Sequence, residues 1–391
     1  MSGPNRVVVA ALDRLLAEHP PAMTERLDFL RAQYDAGLAW VHHPVGLGGL
    51  GLSRAEQPAV TARLRAAGAP TNAPERNRIG LGMAAPTILR HGTDEQQLRL
   101  LRPLWTGEEV WCQLFSEPGA GSDLAAVATR ARRDGDGWVI DGQKVWTSSA
   151  HLARRAILLA RTDPDVPKHA GLSYFVVDMT DPGVEVRPLR QLTGEAEFNE
   201  VFLSGVRVPD SDRVGDVGAG WAVATYTLGN ERVAIGGRPT PREGGMIGRL
   251  AQTWRSRPEL RRPDLHDRLM DLWVRAEVSR LDARRTTQVA TAGAAGSGLK
   301  LAFARDAQRI SALEVELLAA EGLEYGEWAM ARPNAVDLLG RDAGYRYLRA
   351  KGNSIEGGTS EVLRNIIAER VLGLPAEARP DKGVPWKETR R

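Results

Sequence analysis

Trp111-Cys112-Gln113-Leu114-Phe115-Ser116-Glu117-Pro118-Gly119-Ala120-Gly121-Ser122-Asp123 marks a change of texture in this chain. Before it, from about residue 7 to 110, apolar residues recur at helical spacing, which predicts helices over Val7–Leu16, Met23–Tyr34, Gln57–Ala66 and Asp94–Leu104. The last has a start signal in Thr93 or Asp94, with Glu95 and Gln96 in its first turn. After it the pattern is that of strands. Trp138-Val139-Ile140, Asp141-Gly142 and Lys144-Val145-Trp146 predict a hairpin turning at Asp-Gly. Further strands are expected at Ala156–Ala160, Tyr174–Val177, Val184–Leu189 and Glu200–Leu203. Strands so closely spaced, with no helices between them, imply a small antiparallel barrel or sandwich. Beyond Gly218-Ala219-Gly220 the helical period returns over Trp221–Ile235, Met246–Arg255, Asp264–Ala290, Leu299–Glu321 and Glu361–Val371. Gly293–Gly298 reads as a flexible interruption there. The expected fold class is therefore α+β and multidomain. An N-terminal helical domain (1–110) precedes a middle β domain (111–218), a C-terminal helical bundle (219–375) and a polar tail (376–391).

Composition narrows the function classes. The 391 residues are 42% hydrophobic and 26% charged, which excludes a disordered, collagen-like or coiled-coil chain. One cysteine, Cys112, can form neither an intramolecular disulfide nor a cysteine zinc cluster, and no metal is expected. The formal charge of +3 comes from near-balance, and basic residues do not cluster with aromatics, so nucleic-acid binding is not expected. No run of 18 apolar residues occurs, and Met1–Arg6 opens no signal peptide, so the expected compartment is the cytoplasm.

Three places can carry chemistry. In residues 116–123 two glycines flank a small residue between hydroxyls, so the backbone could approach a bulky polar ligand and offer N–H and serine donors. An ordinary turn is the alternative. Trp146-Thr147-Ser148 sets an indole beside hydroxyls, either as a wall for a flat heteroaromatic ring or as part of the core. Glu231 is the most informative carboxylate. On one helix, Ala224, Leu228, Glu231 and Ile235 share a face that is otherwise apolar. A buried carboxylate there has a raised pKa and suits a general base, or else it pairs with an arginine such as Arg232.

Together these segments resemble the acyl-CoA dehydrogenase family over roughly residues 25–375. Ser116–Asp123, Gly142-Gln143-Lys144 and Trp146-Thr147-Ser148 match in order and spacing. Phe198–Phe202, Val206-Arg207-Val208-Pro209, Gly220-Trp221, Asn230-Glu231-Arg232 and Gly358-Thr359-Ser360-Glu361 add to the set. The resemblance implies a helical, β and four-helix-bundle architecture holding FAD. It places Leu114, Phe115 and Ser116 against the flavin, Trp146 and Ser148 on its other side, and Thr359 and Glu361 near the cofactor from the last helical segment. Ser122 would lie near the CoA thioester arm and Arg232 near its phosphates.

Family chemistry is α,β-desaturation of an acyl-CoA. A glutamate takes the α-proton and the β-hydrogen leaves as hydride to the flavin, giving the trans-2-enoyl-CoA. Many members carry that glutamate just before the Gly-Thr-Ser turn, where this chain has Gly357, with Glu356 displaced by one residue. A branch that includes isovaleryl-CoA dehydrogenase carries it before an arginine on the bundle helix, which here is Glu231. The implied partners are an acyl-CoA substrate, an electron-transferring flavoprotein as acceptor and further subunits, as a homotetramer or homodimer or in a heteromeric assembly. Two family stretches have no counterpart: Arg-x-x-Phe-Gly around Gln288–Lys300, and Gln-x-x-Gly-Gly where Asp337–Gly344 stands. They leave the adenosine-side contacts unassigned. A subunit of a heteromeric dehydrogenase and a flavin oxidase or monooxygenase on the same scaffold are the alternative readings.

Overall fold

The computed structural model describes residues 5–236, 240–288, 292–334 and 337–389. Its amino-terminal helices are α1 (Arg6–Glu18), α2 (Arg26–Asp35), α3 (Gln57–Ala66), α4 (Ala85–His91) and α5 (Asp94–Thr106). Thr93 is the N-cap of α5: its hydroxyl accepts from Gln96 N while Gln96 Oε1 accepts from Thr93 N, so two orphan donors are satisfied at once. Val8, Leu12, Leu15, Phe29, Leu38, Val41, Val60 and Leu64 form the core of this helical part.

The strands are β1 (Trp111–Leu114), β2 (Arg130–Asp134), β3 (Gly137–Ser148), β4 (Arg155–Arg161), β5 (Leu172–Asp178), β6 (Val184–Pro188), β7 (Phe198–Pro209) and β8 (Arg213–Val214). They form one sheet in the order β6-β7-β3-β2-β4-β5-β8, with β1 beside β4. The pairing is not purely antiparallel. β1 runs parallel to β4, because the chain returns to β4 only after the long β2–β3 excursion. The predicted turn at Asp141-Gly142 is also corrected. Both residues lie inside β3, in register with β2 (Arg130 faces Asp141), and the reversal falls at Asp134–Gly137, where Gly135 has φ +60°. Gly142 serves close approach instead: a Cβ there would come within 2.3 Å of Thr129 Oγ1.

The carboxyl-terminal helices are α6 (Gly220–Gly236), α7 (Met246–Ser256), α8 (Pro263–Gln288), α9 (Ala292–Leu318), α10 (Ala343–Gly352) and α11 (Ser360–Arg370). α7, α8 and α9 share a core of Ile247, Leu250, Leu265, Leu269, Leu272, Ile310, Leu313 and Leu317. The interruption expected at Gly293–Gly298 is absent, since α9 already runs from Ala292. Burial of Ser297, Leu299 and Lys300 along its first turns shows tertiary packing overriding weak glycine propensity. Ala290 lies outside the described residues. The polar tail is mostly exposed, but Trp386 within it is buried and its indole N–H donates to Ala126 O at 3.2 Å.

Two compact units result. One comprises Met1–Pro118, Val127–Val186 and Glu200–Ala224; the other comprises Gly119–Ala126, Arg187–Asn199 and Thr225–Arg391. No helix among the described residues is long and apolar enough to cross a membrane.

Candidate active site

In the first unit the site is built on a buried lysine. Inward-facing residues alternate along β3, and Lys144 falls on that face with none of its surface exposed. Its ammonium donates to Phe115 O, Glu117 Oε1 and Leu159 O, each at 2.9 Å, which uses all three of its protons. Glu117 also accepts from Ala128 N at 2.7 Å and Thr129 N at 2.8 Å. Burial pushes the Glu117 carboxyl up, but Lys144 and these donors outweigh it and hold it below the usual carboxylate range. The sequence motifs that contain Glu117 and Lys144 gave neither residue a role in the site. The available signal was a lysine on the inward face of a strand, in a chain with only six lysines.

This clamp joins the end of β1 to the end of β3, and Val145 N donates to Ser116 O at 2.9 Å. The next residue, Trp146, has φ +59°, a conformation that costs a bulky L-residue about 1–3 kcal/mol. Its side chain is 57% exposed, so the reading of Trp146 as a core residue is excluded. Ser116 and Ser148 are half-buried, whereas the Leu114 and Phe115 side chains point into the core, Phe115 edge-on to Tyr174. What those two residues can offer a ligand is main chain.

In the second unit, Ser122 is exposed on the 119–126 segment. Gly119 and Gly121 have ordinary φ, and a Cβ at either meets no described atom within 4 Å. Neither conformation nor internal packing accounts for them. The inward stripe of α6 runs through the buried Val223, Ala224 and Thr227 to Glu231, a step round the helix from the predicted one, and Leu228 is half-buried beside it. The side chain of Ile235 lies outside the described residues. Desolvation pushes the Glu231 carboxyl up to about 7, Glu356 adds to the rise, and Arg232 and Lys300 pull against it. Arg232 Nε is buried without a hydrogen-bond partner among the described residues, a donor suited to an anion.

The turn beside these groups has Gly357 at φ +63° and Gly358 at φ +95°, conformations that favour glycine. Lys300 Nζ donates to Gly358 O at 2.6 Å. Thr359 follows as the N-cap of α11, its hydroxyl accepting from Val362 N, and Glu361 is exposed and paired with Arg364. Glu356 is held bidentately by Arg349 at 2.9 and 3.1 Å. That grip makes it a structural carboxylate. Glu356→Gln is expected to keep turnover within about tenfold of wild type, because the loss excludes a general base worth about 10²–10⁴. Steady-state kinetics showing a defect as deep as that of Glu231→Gln would reverse the two roles.

An exposed indole beside hydroxyls suits a flat heteroaromatic ring, and an arginine with an unused buried donor suits a phosphate-bearing ligand. Comparison with known proteins identifies the class. The chain matches the acyl-CoA dehydrogenase N-terminal domain over residues 8–108, the middle domain over 112–206 and the C-terminal domain over 218–372. It belongs to the acyl-CoA dehydrogenase family of FAD-dependent flavoprotein oxidoreductases.

Acyl-CoA dehydrogenase FadE34 of Mycobacterium tuberculosis is 42% identical over 87% of this chain, which spans only 45% of that relative's length. Acyl-CoA dehydrogenase IpdE1 of the same organism is 38% identical over 92% of this chain and 90% of its own. Among solved structures, the Tcur3481-Tcur3483 steroid ACAD superposes with TM-score 0.72 at 28% identity over 95% of this chain and 97% of that one. The ChsE4-ChsE5 complex from Mycobacterium tuberculosis gives 0.72 at 27% identity, over 96% of this chain and 100% of that one.

Proposed function

We propose that this chain desaturates an acyl-CoA thioester between its α and β carbons, with Glu231 as the base that takes the α-proton. The carrying observation is the Glu231 carboxyl, desolvated on the inward stripe of α6 and raised to about 7, where it is ionised in quantity at neutral pH yet still a competent base. FAD, when bound, supplies the acceptor for the β-hydride. The chain's own residues hold and orient. Leu114, Phe115 and Ser116 offer backbone groups and a hydroxyl at the end of β1, and Trp146 and Ser148 form the opposite wall, with the Lys144–Glu117 clamp keeping the two strand ends together. Arg232 presents its unused Nε to a CoA phosphate. Ser122 meets the thioester arm, and Thr359 and Glu361 approach the cofactor from the start of α11.

The likeness to a steroid ACAD favours a bulky ring-bearing acyl group among straight, branched and polycyclic candidates. The same likeness and the ChsE4-ChsE5 complex favour assembly with a second chain of this fold, and the exposed apolar stripe Met270, Val274, Val278 and Leu281 along α8 suits such a partner. A homo-oligomer is the other arrangement, and an electron-transferring flavoprotein is the proposed acceptor. The protein is expected to purify yellow with non-covalent FAD, and anaerobic mixing with a panel of acyl-CoAs should bleach it. A folded preparation that retains no FAD after reconstitution, or whose bound flavin no acyl-CoA on the panel reduces, would remove the proposal.

A further inference from the structure

Between Glu117 and Thr129 the chain makes a loop that is closed at its base and open at its tip. Ala128 N and Thr129 N both donate to the Glu117 carboxylate, which draws the two ends together. Within the loop Ala120, Leu124 and Ala125 are buried, whereas Gly119, Gly121, Ser122 and Asp123 are exposed. Glycine loses more conformational freedom on ordering than any other residue, and here a Cβ at Gly119 or Gly121 would touch nothing. Contacts made from outside the tip therefore decide how firmly Ser122 is presented.

One such contact comes from the far end of the sequence. Residues 371–380, which follow the end of α11 at Arg370, are all exposed, and Arg379 is tied back to Glu369 at 2.7 and 3.0 Å. Pro375, Pro380 and Pro385 stiffen the stretch. It lands on one buried side chain. Trp386 is only 7% exposed, and its indole N–H donates to Ala126 O at 3.2 Å, across 260 positions of sequence. Thr389 N and Thr389 Oγ1 donate back to Trp386 O at 3.1 and 2.7 Å, closing the short turn that seats the ring. Ala126 N donates in turn to Asp123 O at 3.0 Å, within the turn Leu124–Ala126. The indole thus grips the residue whose other backbone group fixes Asp123, the neighbour of Ser122. A buried tryptophan combines a large apolar body with a polar N–H that needs a partner, so it suits a single anchor for an otherwise exposed segment.

We propose that residues 371–389 form a strap across the 119–126 loop, with Trp386 as the positioning residue that holds Ser122 in place for the acyl-CoA arm. The proposal rests on the reading of Ser122 as a contact of the thioester arm. Neither Glu231 nor Trp146 lies in the loop, so the strap governs substrate capture and leaves the chemical step alone. An exposed segment held by one anchor opens as a local unit, without global unfolding. Trp386→Phe keeps most of the ring's packing and removes the donor to Ala126 O. Trp386→Ala removes both.

Hydrogen–deuterium exchange on the full-length, FAD-loaded protein reads the loop without turnover. Amides of residues 119–126 should exchange about 2–10-fold faster in Trp386→Phe, the range one hydrogen bond supplies, and faster still in Trp386→Ala. Those of α7, α8 and α9 should be unchanged. KM for a good acyl-CoA should rise by similar factors, while flavin reduction at saturating substrate stays within about twofold of wild type. Wild-type exchange over 119–126 in folded Trp386→Ala, or in Trp386→Phe should the alanine variant not fold, overturns the strap. A slowed saturated rate with KM unmoved overturns it too. Ser122→Ala separates the strap from the reading beneath it. If Ser122→Ala raises KM and loosening the loop does not, the strap's role in capture falls alone; if neither raises KM, the reading of Ser122 falls and takes that role with it.

Discussion

Glu231→Gln is expected to slow anaerobic flavin reduction by a good acyl-CoA about 10²–10⁴-fold, the range a general base supplies, while FAD and acyl-CoA still bind. Glutamine keeps the size and one carbonyl oxygen but has no basic oxygen, so the loss belongs to the chemical step and not to ground-state affinity. Wild-type kcat/KM should rise through pH 7 to a plateau, because Glu231 must be ionised and its carboxyl is pushed up to about 7. The variant should lose that limb. The same desolvation makes the folded state resist ionisation of Glu231, so its contribution to stability is present below the ordinary value near 4.5 and is lost as pH rises through about 7. Glu231→Gln should therefore be more stable than wild type at pH 8, by on the order of 1–3 kcal/mol, and about equal at pH 4. Rapid-mixing absorbance gives the first result and urea titrations at the two pH values give the second. Flavin bleaching as fast as wild type would dismiss Glu231 as the base.

The features legible in the sequence were those encoded locally. Thr93 and Gln96 form a reciprocal cap that depends on four consecutive residues, so the start of α5 was readable. The helical period of α6 likewise placed Glu231 on its inward stripe, although the stripe itself runs through Val223 and Thr227. Features that depend on distant partners were not readable. Asp141-Gly142 has the composition of a hairpin turn, yet Gly142 exists to let Thr129 approach and Asp141 Oδ1 accepts from Gly205 N at 2.8 Å. Gly293–Gly298 has the composition of a linker, yet it joins α9 because packing decides. Trp146 as a core residue was a reasonable expectation from hydropathy. Its left-handed backbone directly follows the residue whose N–H bonds Ser116 O, a contact that joins residues 29 positions apart and leaves no local trace. Arg349 grips Glu356 seven residues on, and Lys300 reaches Gly358 O from α9, 58 residues away, so that second contact left no sequence motif.

Lys144→Met is expected to destabilise the protein by about 3–5 kcal/mol, the cost of leaving one member of a buried pair without its partner. The ammonium serves three acceptors on two segments at once: Phe115 O and Glu117 Oε1 just after β1, and Leu159 O on β4. Methionine matches the length of the side chain but donates nothing, so two buried carbonyls lose a donor and the Glu117 carboxylate loses its ammonium partner, keeping only the Ala128 and Thr129 amides. The defect reaches the candidate flavin wall, because the clamp holds residues 115–117 against β3 next to Trp146, whose backbone is strained and keeps its conformation only while its surroundings enforce it. Loosened FAD should accompany the loss of stability, read as flavin released on gel filtration beside the shift of the urea midpoint. Adding Glu117→Gln to Lys144→Met removes the unpaired charge, so the double variant should regain part of the stability. It should not regain the flavin, because the bond that pins Phe115 O is still missing. A single variant within about 1 kcal/mol of wild type that retains its FAD would show that the strand ends are held by other contacts, and that Lys144 is a passenger in the core.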